Sequence, residues 1–257
     1  MIKTLNITMI FIILFCISVL ANDEVVFMDK NGPYECQYTT DDIKIDGELD
    51  EPSWKKCMVA TMLIPVTGSK PFSYTEGRML WDDKNIYVAF KAWDKDIGGK
   101  YTERDSPTCR EDVLEVFFMP FEHMKYKDKS NVYYNFEVNV LGTFYDGINH
   151  PDFPWKEITG WNCKDVKVAV KIDGTLNNPD DEDKLWQLEM AIPFASIPTC
   201  DGKIPLNNEE WKFHLARYDY SKYLPNGKEL VSCAPLTKLA FHYYKDWIKL
   251  VFISSDK

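Results

Sequence analysis

The chain has 257 residues, 45% of them hydrophobic and 14% aromatic, and a formal charge of −10 at pH 7. With no basic stripe to offset it, that acidity argues against a nucleic-acid backbone as partner and suits an uncharged ligand, a cation or a soluble surface. The length supports one sizeable core, and neither a repeat nor a Gly/Ser-rich linker divides it, so a single domain is expected.

Lys3 precedes an apolar run from Ile7 to Leu20, and Val19-Leu20-Ala21 closes it with modest or small side chains. This reads as a signal peptide, residues 1–21, cleaved after Ala21, because the run is shorter than the roughly 20 residues a membrane span needs. The mature chain, residues 22–257, is expected to be secreted and, once the leader is gone, not membrane-bound. The bulky Phe15 before Cys16 argues against a bacterial lipid-attachment site. Of the seven cysteines, Cys16 leaves with the leader, and Cys36, Cys57, Cys109, Cys163, Cys200 and Cys233 remain. An even set in an exported chain predicts three disulfides, although six cysteines allow fifteen connectivities. No Cys-x-x-Cys or closely spaced Cys/His pair supports zinc instead. The only Asn-x-Thr sequon, at Asn6, departs with the leader.

Further along, Ile43-Lys44-Ile45 reads as a strand, Asp46-Gly47 as a tight turn, and the following residues as a helical turn carrying Trp54 inward. Residues 74–80 and Ile86–Trp93 read as a hairpin joined through Trp81-Asp-Asp-Lys-Asn85. Asp94 to Cys109 is polar and loop-like. Residues 111–118 and 133–146 alternate as strands on either side of a Lys-rich loop, Glu122 to Ser130. Phe136, Val138 and Val140 take one face of the second strand; Asn135, Glu137 and Asn139 take the other. Glu115 and Phe117 share a face of the first. Polar residues on one strand face fit either a ligand or the solvated outside of an antiparallel sheet. Gly147 to Trp161 is irregular. Val166–Ile172, Leu185–Ile192, Trp211–Tyr220 and Ile248–Phe252 complete about ten short strands with no long helix, which predicts an all-β, antiparallel β-sandwich.

Several of these segments together resemble the family 9 carbohydrate-binding modules. They are Ile45-Asp-Gly-Glu-Leu-Asp-Glu-Pro-Ser-Trp54, Leu80-Trp-Asp-Asp-Lys-Asn-Ile-Tyr-Val-Ala-Phe90, Glu111-Asp-Val-Leu-Glu-Val-Phe117, Tyr134-Asn-Phe-Glu-Val-Asn139, Gly142-Thr143, Gly174-Thr-Leu-Asn177 and Trp186-Gln-Leu-Glu-Met-Ala-Ile-Pro193. Their order holds over a core of about residues 38–252. The resemblance implies a β-sandwich that binds a polysaccharide or oligosaccharide, with calcium as a structural ion. It implies a sugar held between two facing tryptophans and hydrogen-bonded by neighbouring polar residues, here Glu115, Glu137 and Asn139. Such a division suits a sugar, whose C–H faces stack on rings while its hydroxyls need directional partners. Glu137 departs from the Arg of the best-known member. The alignment also places Cys109 and Cys233 where the two stacking tryptophans belong. That paired replacement suggests a Cys109–Cys233 disulfide tying two loops together, and it leaves Trp155 and Trp161 in the irregular segment as replacement platforms.

Trp54, Trp81, Trp186 and Trp211 match core positions. The four histidines, His123, His150, His214 and His242, lack ligand spacing. Asp94 with Asp96, near Asp105, and the run Asp180-Asp-Glu-Asp183 could offer oxygens to calcium, without an EF-hand pattern. No nucleophile elbow, phosphate loop or paired-His motif is present, and a hydrolase would need a larger separate module, so no catalysis and no required cofactor are expected. The expected function is a secreted, monomeric, non-catalytic carbohydrate-binding domain acting alone or beside a separate glycoside hydrolase. The alternative is an extracellular structural or protein-interaction β-sandwich that has lost the sugar slot.

Overall fold

The computed structural model describes residues 26–29, 32–120, 132–150, 161–200 and 202–254. The apolar leader, the Lys-rich loop and Trp155 lie outside the described residues. Twelve strands are formed by the described residues: β1 (Tyr34–Tyr38), β2 (Val59–Thr61), β3 (Thr75–Trp81), β4 (Asn85–Trp93), β5 (Val113–Pro120), β6 (Tyr133–Asn139), β7 (Phe144–Asn149), β8 (Lys167–Asp173), β9 (Leu185–Pro193), β10 (Glu210–Asp219), β11 (Glu229–Ser232) and β12 (Ile248–Ile253). Among the described residues the one α-helix is the short α1 (Pro52–Lys56).

The all-β expectation holds. The strands, however, form a single mixed sheet that nearly closes, in the order β7-β6-β5-β10-β12-β1-β3-β4-β9-β8, with β11 beside β10 and β2 beside β3. The departure from a purely antiparallel pattern lies at β1, which runs parallel to both β12 and β3. One strand from near the start of the fold thereby stitches two antiparallel halves into one sheet.

The halves face each other across a common core. Tyr34 of β1 meets Phe213 of β10 edge-on at 5.5 Å, and Trp81 of β3 meets Phe252 of β12 at 5.4 Å. Leu215 of β10 packs so close to Gly77 of β3 that a Cβ there would fall 2.3 Å from the leucine methyl. Trp54, Trp81, Trp186 and Trp211 are all buried. Ile43-Lys44-Ile45 is not a strand, but the turn and helix that follow it form as read. Glu189 of β9 gathers them by accepting from the Trp54 indole at 3.0 Å and from the Asp46 and Gly47 amides at 3.1 and 3.2 Å. Gly47 has φ +85°, and a side chain there would press on the β8 backbone at 3.1 Å, so glycine is required.

Both faces of β5 and β6 are buried. The polar face is therefore not a solvated outside. The segment between β11 and β12 folds over part of it: Trp247 and His242 pack on Phe117 at 5.2 and 5.0 Å, and Trp247 packs on Tyr133 at 5.0 Å. Beyond that cover the same face opens into a cavity.

Candidate functional site

Register builds the site. Glu115 of β5 lies directly opposite Glu137 of β6, so both carboxylates leave the same face. Glu137 in turn lies opposite Tyr145 of β7, and Glu115 lies opposite Ala216 of β10, two residues before Tyr218. Strand alternation then brings Asn135, Asn149 and Tyr218 to the face that holds the two glutamates. Together with Phe241 from the covering segment they line a cavity of about 470 Å³, within the range of about 300–1,000 Å³ usual for small-ligand sites.

The cavity's polar groups are unevenly satisfied. Glu137 accepts from the Thr108 hydroxyl at 2.6 Å and from Asn135 Nδ2 at 3.0 Å. No hydrogen bond or ion pair reaches the Glu115 carboxylate among the described residues, although the residue is 2% exposed. Asn135 Oδ1 and Asn149 Nδ2 are buried without a partner. Groups of that kind cost about 1–3 kcal/mol each when left unpaired, so their convergence on one cavity is the mark of a ligand site. Burial, and then the neighbouring Glu137, push the Glu115 carboxyl well above the usual carboxylate range. Burial, then Glu137 and Glu115, push the Cys109 thiol at the cavity wall up to about 11.

A second cavity, of about 570 Å³, lies beside Phe72, Trp93 and Tyr223. Its carboxylates are already committed. Asp94 binds Arg217, and Asp183 accepts from the Ile97 and Thr175 amides at 2.8 and 2.6 Å. The unmet polar groups that mark the first cavity are absent from these two residues.

Other site candidates fall elsewhere. Asn139 shares the parity of Glu137 but serves its own loop: Nδ2 donates to the Tyr101 carbonyl at 2.8 Å and to Glu111 at 2.5 Å, and Oδ1 accepts from the Leu141 and Thr143 amides. Trp161 packs on Tyr134 at 5.4 Å and on Phe136 at 6.1 Å, on the opposite side of β6. Tyr218, Phe241 and Asn149 are among the cavity residues that local sequence pattern does not single out. Each reaches the site from a different element: the register of β5, β6, β7 and β10 brings in Tyr218 and Asn149, and the segment between β11 and β12 brings in Phe241.

The structure shows no disulfide among the described residues. Cys36, Cys57, Cys109, Cys163, Cys200 and Cys233 are all free thiols. Cys109 faces the cavity, whereas the Cys233 sulfur accepts from the Leu215 amide at 3.1 Å and borders a separate crevice with Leu63 and Leu236. The two loops are held by β10 pairing to β5 and to β11, without a covalent tie.

Asp94 and Asp96 do not converge as a calcium pair. Asp94 Oδ1 accepts from the Asp96 amide at 2.9 Å, while Asp96 Oδ2 turns outward to the Lys222 amide at 2.8 Å. Asp94 instead joins Asp112 and Asp219, whose oxygens come within 4.8 Å of one another. The Arg217 guanidinium occupies that cluster, 2.6 Å from Asp94 and 3.2 Å from Asp219. Asp112 spends its oxygens on the Gly98 and Tyr220 amides at 2.8 and 2.7 Å. A resident cation already supplies the countercharge, so this donor set does not fit a calcium ion.

The fold has solved relatives. A candidate carbohydrate-binding protein from Bacteroides uniformis is similar with a TM-score of 0.65 and 16% identity, over 86% of this chain and 99% of that one. A family 9 carbohydrate-binding module from Caldicellulosiruptor kristjanssonii, in complex with cellotriose, gives a TM-score of 0.57 at 15% identity over 87% and 95% of the two chains. The glucose complex of a module from the same organism gives 0.54 at 15% identity over 87% and 98%. No curated protein matches the chain. The family model "Carbohydrate family 9 binding domain-like" matches residues 45–242, and with that match over most of its length the chain belongs to this family.

Proposed function

We propose that the chain is a secreted, non-catalytic carbohydrate-binding domain that takes a sugar in the cavity over Glu115 and Glu137. The observation that carries the reading is one cavity wall on which Asn135 Oδ1 and Asn149 Nδ2 are buried without a partner beside the Glu115 carboxyl, facing the rings of Tyr218 and Phe241. A sugar answers both, with hydroxyls for the polar wall and C–H faces for the rings. Here Tyr218 and Phe241 take over the stacking that Cys109 and Cys233 cannot supply. The cellotriose and glucose complexes of the Caldicellulosiruptor modules support a ligand of the oligosaccharide class, and the apolar leader supports export.

Catalysis is disfavoured by placement. Glycosidases set two carboxyl groups on either side of the scissile bond, whereas Glu115 and Glu137 stand side by side on one floor. The protein would act alone or beside a separate hydrolase.

The test is binding of the purified protein to a glycan array, followed by titration of the best oligosaccharide. Glu137→Ala and Tyr218→Ala are each expected to weaken binding roughly tenfold or more, the scale of one charged hydrogen bond or one stacking ring. No release of reducing ends is expected. Unchanged affinity in both variants would move the site, and absence of binding to any glycan would overturn the reading.

A further inference from the structure

We infer that the sugar recognised here is N-acetylated, a 2-acetamido-2-deoxy hexose whose acetamido group bridges Asn135 and Asn149. The inference rests on the carbohydrate-binding reading and narrows it to one chemical class.

The first argument is the pairing of unmet atoms. Asn135 Nδ2 donates to Glu137 at 3.0 Å, which fixes the orientation of that amide and leaves Oδ1 as a buried acceptor without a partner. Asn149 contributes the complementary group, a buried Nδ2 donor without a partner. The two residues are 1% and 3% exposed, so bulk water does not satisfy them. One lone acceptor and one lone donor call for a ligand group that carries one donor and one acceptor of its own.

The second argument is span. Asn135 of β6 lies opposite Gly147 of β7, and Asn149 follows two residues later on the same face. Diagonal neighbours of this kind stand about 7–8 Å apart at the backbone. Two hydrogen bonds of about 3 Å made by a single hydroxyl oxygen fall short of that span. An amide points its N–H and its C=O in opposite directions and so fills the gap with a hydrogen bond at each end. Two adjacent hydroxyls also reach across, but they bring nothing to the apolar side of the cavity.

The third argument is the rest of the lining. Leu230, Leu239, Ala240 and Phe241 form an apolar side, and Leu239 is 63% exposed. The acetamido methyl covers part of that surface, where a hydroxyl would gain nothing. The carboxyl groups of Glu115, Glu137 and Asp105 line the same cavity, and among the described residues no Lys or Arg does. A uronate or a sulfated sugar would meet like charge there, so a neutral sugar is favoured.

The β-1,4-linked N-acetylglucosamine trimer, its deacetylated counterpart and cellotriose share a backbone and differ at C2, which isolates the acetamido group. In calorimetric titrations of the purified protein, the acetylated trimer is expected to bind about tenfold or more tightly than either of the others, the scale of satisfying one buried unpaired polar group. Asn149→Ala should lower affinity for the acetylated trimer about tenfold while cellotriose stays within about threefold. Leu239→Ala trims an exposed side chain outside the strands, so the fold remains intact. It should lower affinity for the acetylated trimer about threefold, the scale of one buried methylene, and leave cellotriose unchanged. If cellotriose or the deacetylated trimer binds as tightly as the acetylated one, or if both variants weaken all the trimers alike, the inference is overturned while the carbohydrate-binding reading stands. If none of the three binds, the glycan array decides: an N-acetylated ligand upholds the inference, any other glycan overturns it alone, and no ligand overturns both.

Discussion

Cys109 stands at the cavity wall, where the family resemblance expects a stacking tryptophan. Its half-exposed thiol is held at about 11 by burial and by the two glutamates behind it. At pH 7 only ~1 thiol in 10,000 would be thiolate at such a pKa, so the group is sluggish although accessible. Burial pushes the Cys57, Cys163, Cys200 and Cys233 thiols up to about 12, and burial, then the neighbouring Cys57, pushes Cys36 well above the ordinary thiol range. A thiol reagent at pH 8 is therefore expected to modify Cys109 alone, slowly, in the native protein, and all of these cysteines after denaturation. A bound sugar should slow the Cys109 reaction further. A native mass short by two hydrogens would instead reveal a disulfide and sink this expectation. Glu115 and Glu137 were legible from strand parity together with the resemblance. Parity alone cannot tell a face turned to water from a face turned to a cavity, because both admit polar side chains at every second residue. The same limit misleads at Asn139, whose parity is that of Glu137 but whose hydrogen bonds go to the turn that follows it and to Tyr101 and Glu111.

The long hairpins were readable because their signals are local: β3 and β4 alternate about an Asp-rich turn, and β5, β6, β9 and β10 carry their own apolar periods. β1, β2 and β11 were not readable. They are 5, 3 and 4 residues long, and β1 exists by pairing with β12 at the far end of the chain, a partnership no local window contains. The element that the pattern hides most completely is the charged end of β10. Arg217 reaches from β10 to the Thr75 hydroxyl at 3.1 Å and the Trp93 carbonyl at 2.9 Å, as well as to Asp94 and Asp219. It thereby ties one half of the sheet to the other through a fully buried guanidinium. Removing it leaves the buried carboxylates of Asp94 and Asp219 without a countercharge. Arg217→Ala should cost about 3–5 kcal/mol in urea denaturation, the usual consequence of breaking a buried ion pair from one side. A loss below about 1 kcal/mol would show that the cluster neutralises itself by taking up protons instead.

Across the whole molecule the buried ionisable groups set a pH optimum whose two sides have different causes. Burial raises the carboxyl groups of Asp112 and Glu115 well above their ordinary range, Glu189 to about 7 and Asp94 to about 6. An acid whose folded pKa is raised contributes stability that is present below its unfolded value and is lost as pH rises through the folded one. His214 and His242 are shifted the other way, to about 3 and about 4, by burial. A histidine whose folded pKa is lowered costs stability as pH falls below its unfolded value of about 6.5. Between roughly pH 4 and 6.5 the two sets oppose each other; above about 6.5 the histidines are neutral in both states, and the carboxyl groups still change, joined from about pH 8 by the buried thiols, whose raised folded values act in the same direction. The melting temperature is therefore expected to fall by several degrees from pH 6.5 to pH 8.5, and to fall again below about pH 4. Glu115→Gln removes one of the groups that must ionise inside the fold, so it should flatten the alkaline limb and melt higher than the unsubstituted protein at pH 8.5. A melting temperature that rises from pH 6.5 to 8.5, or an alkaline limb unchanged by Glu115→Gln, would mean that Glu115 is ionised in the fold and already compensated.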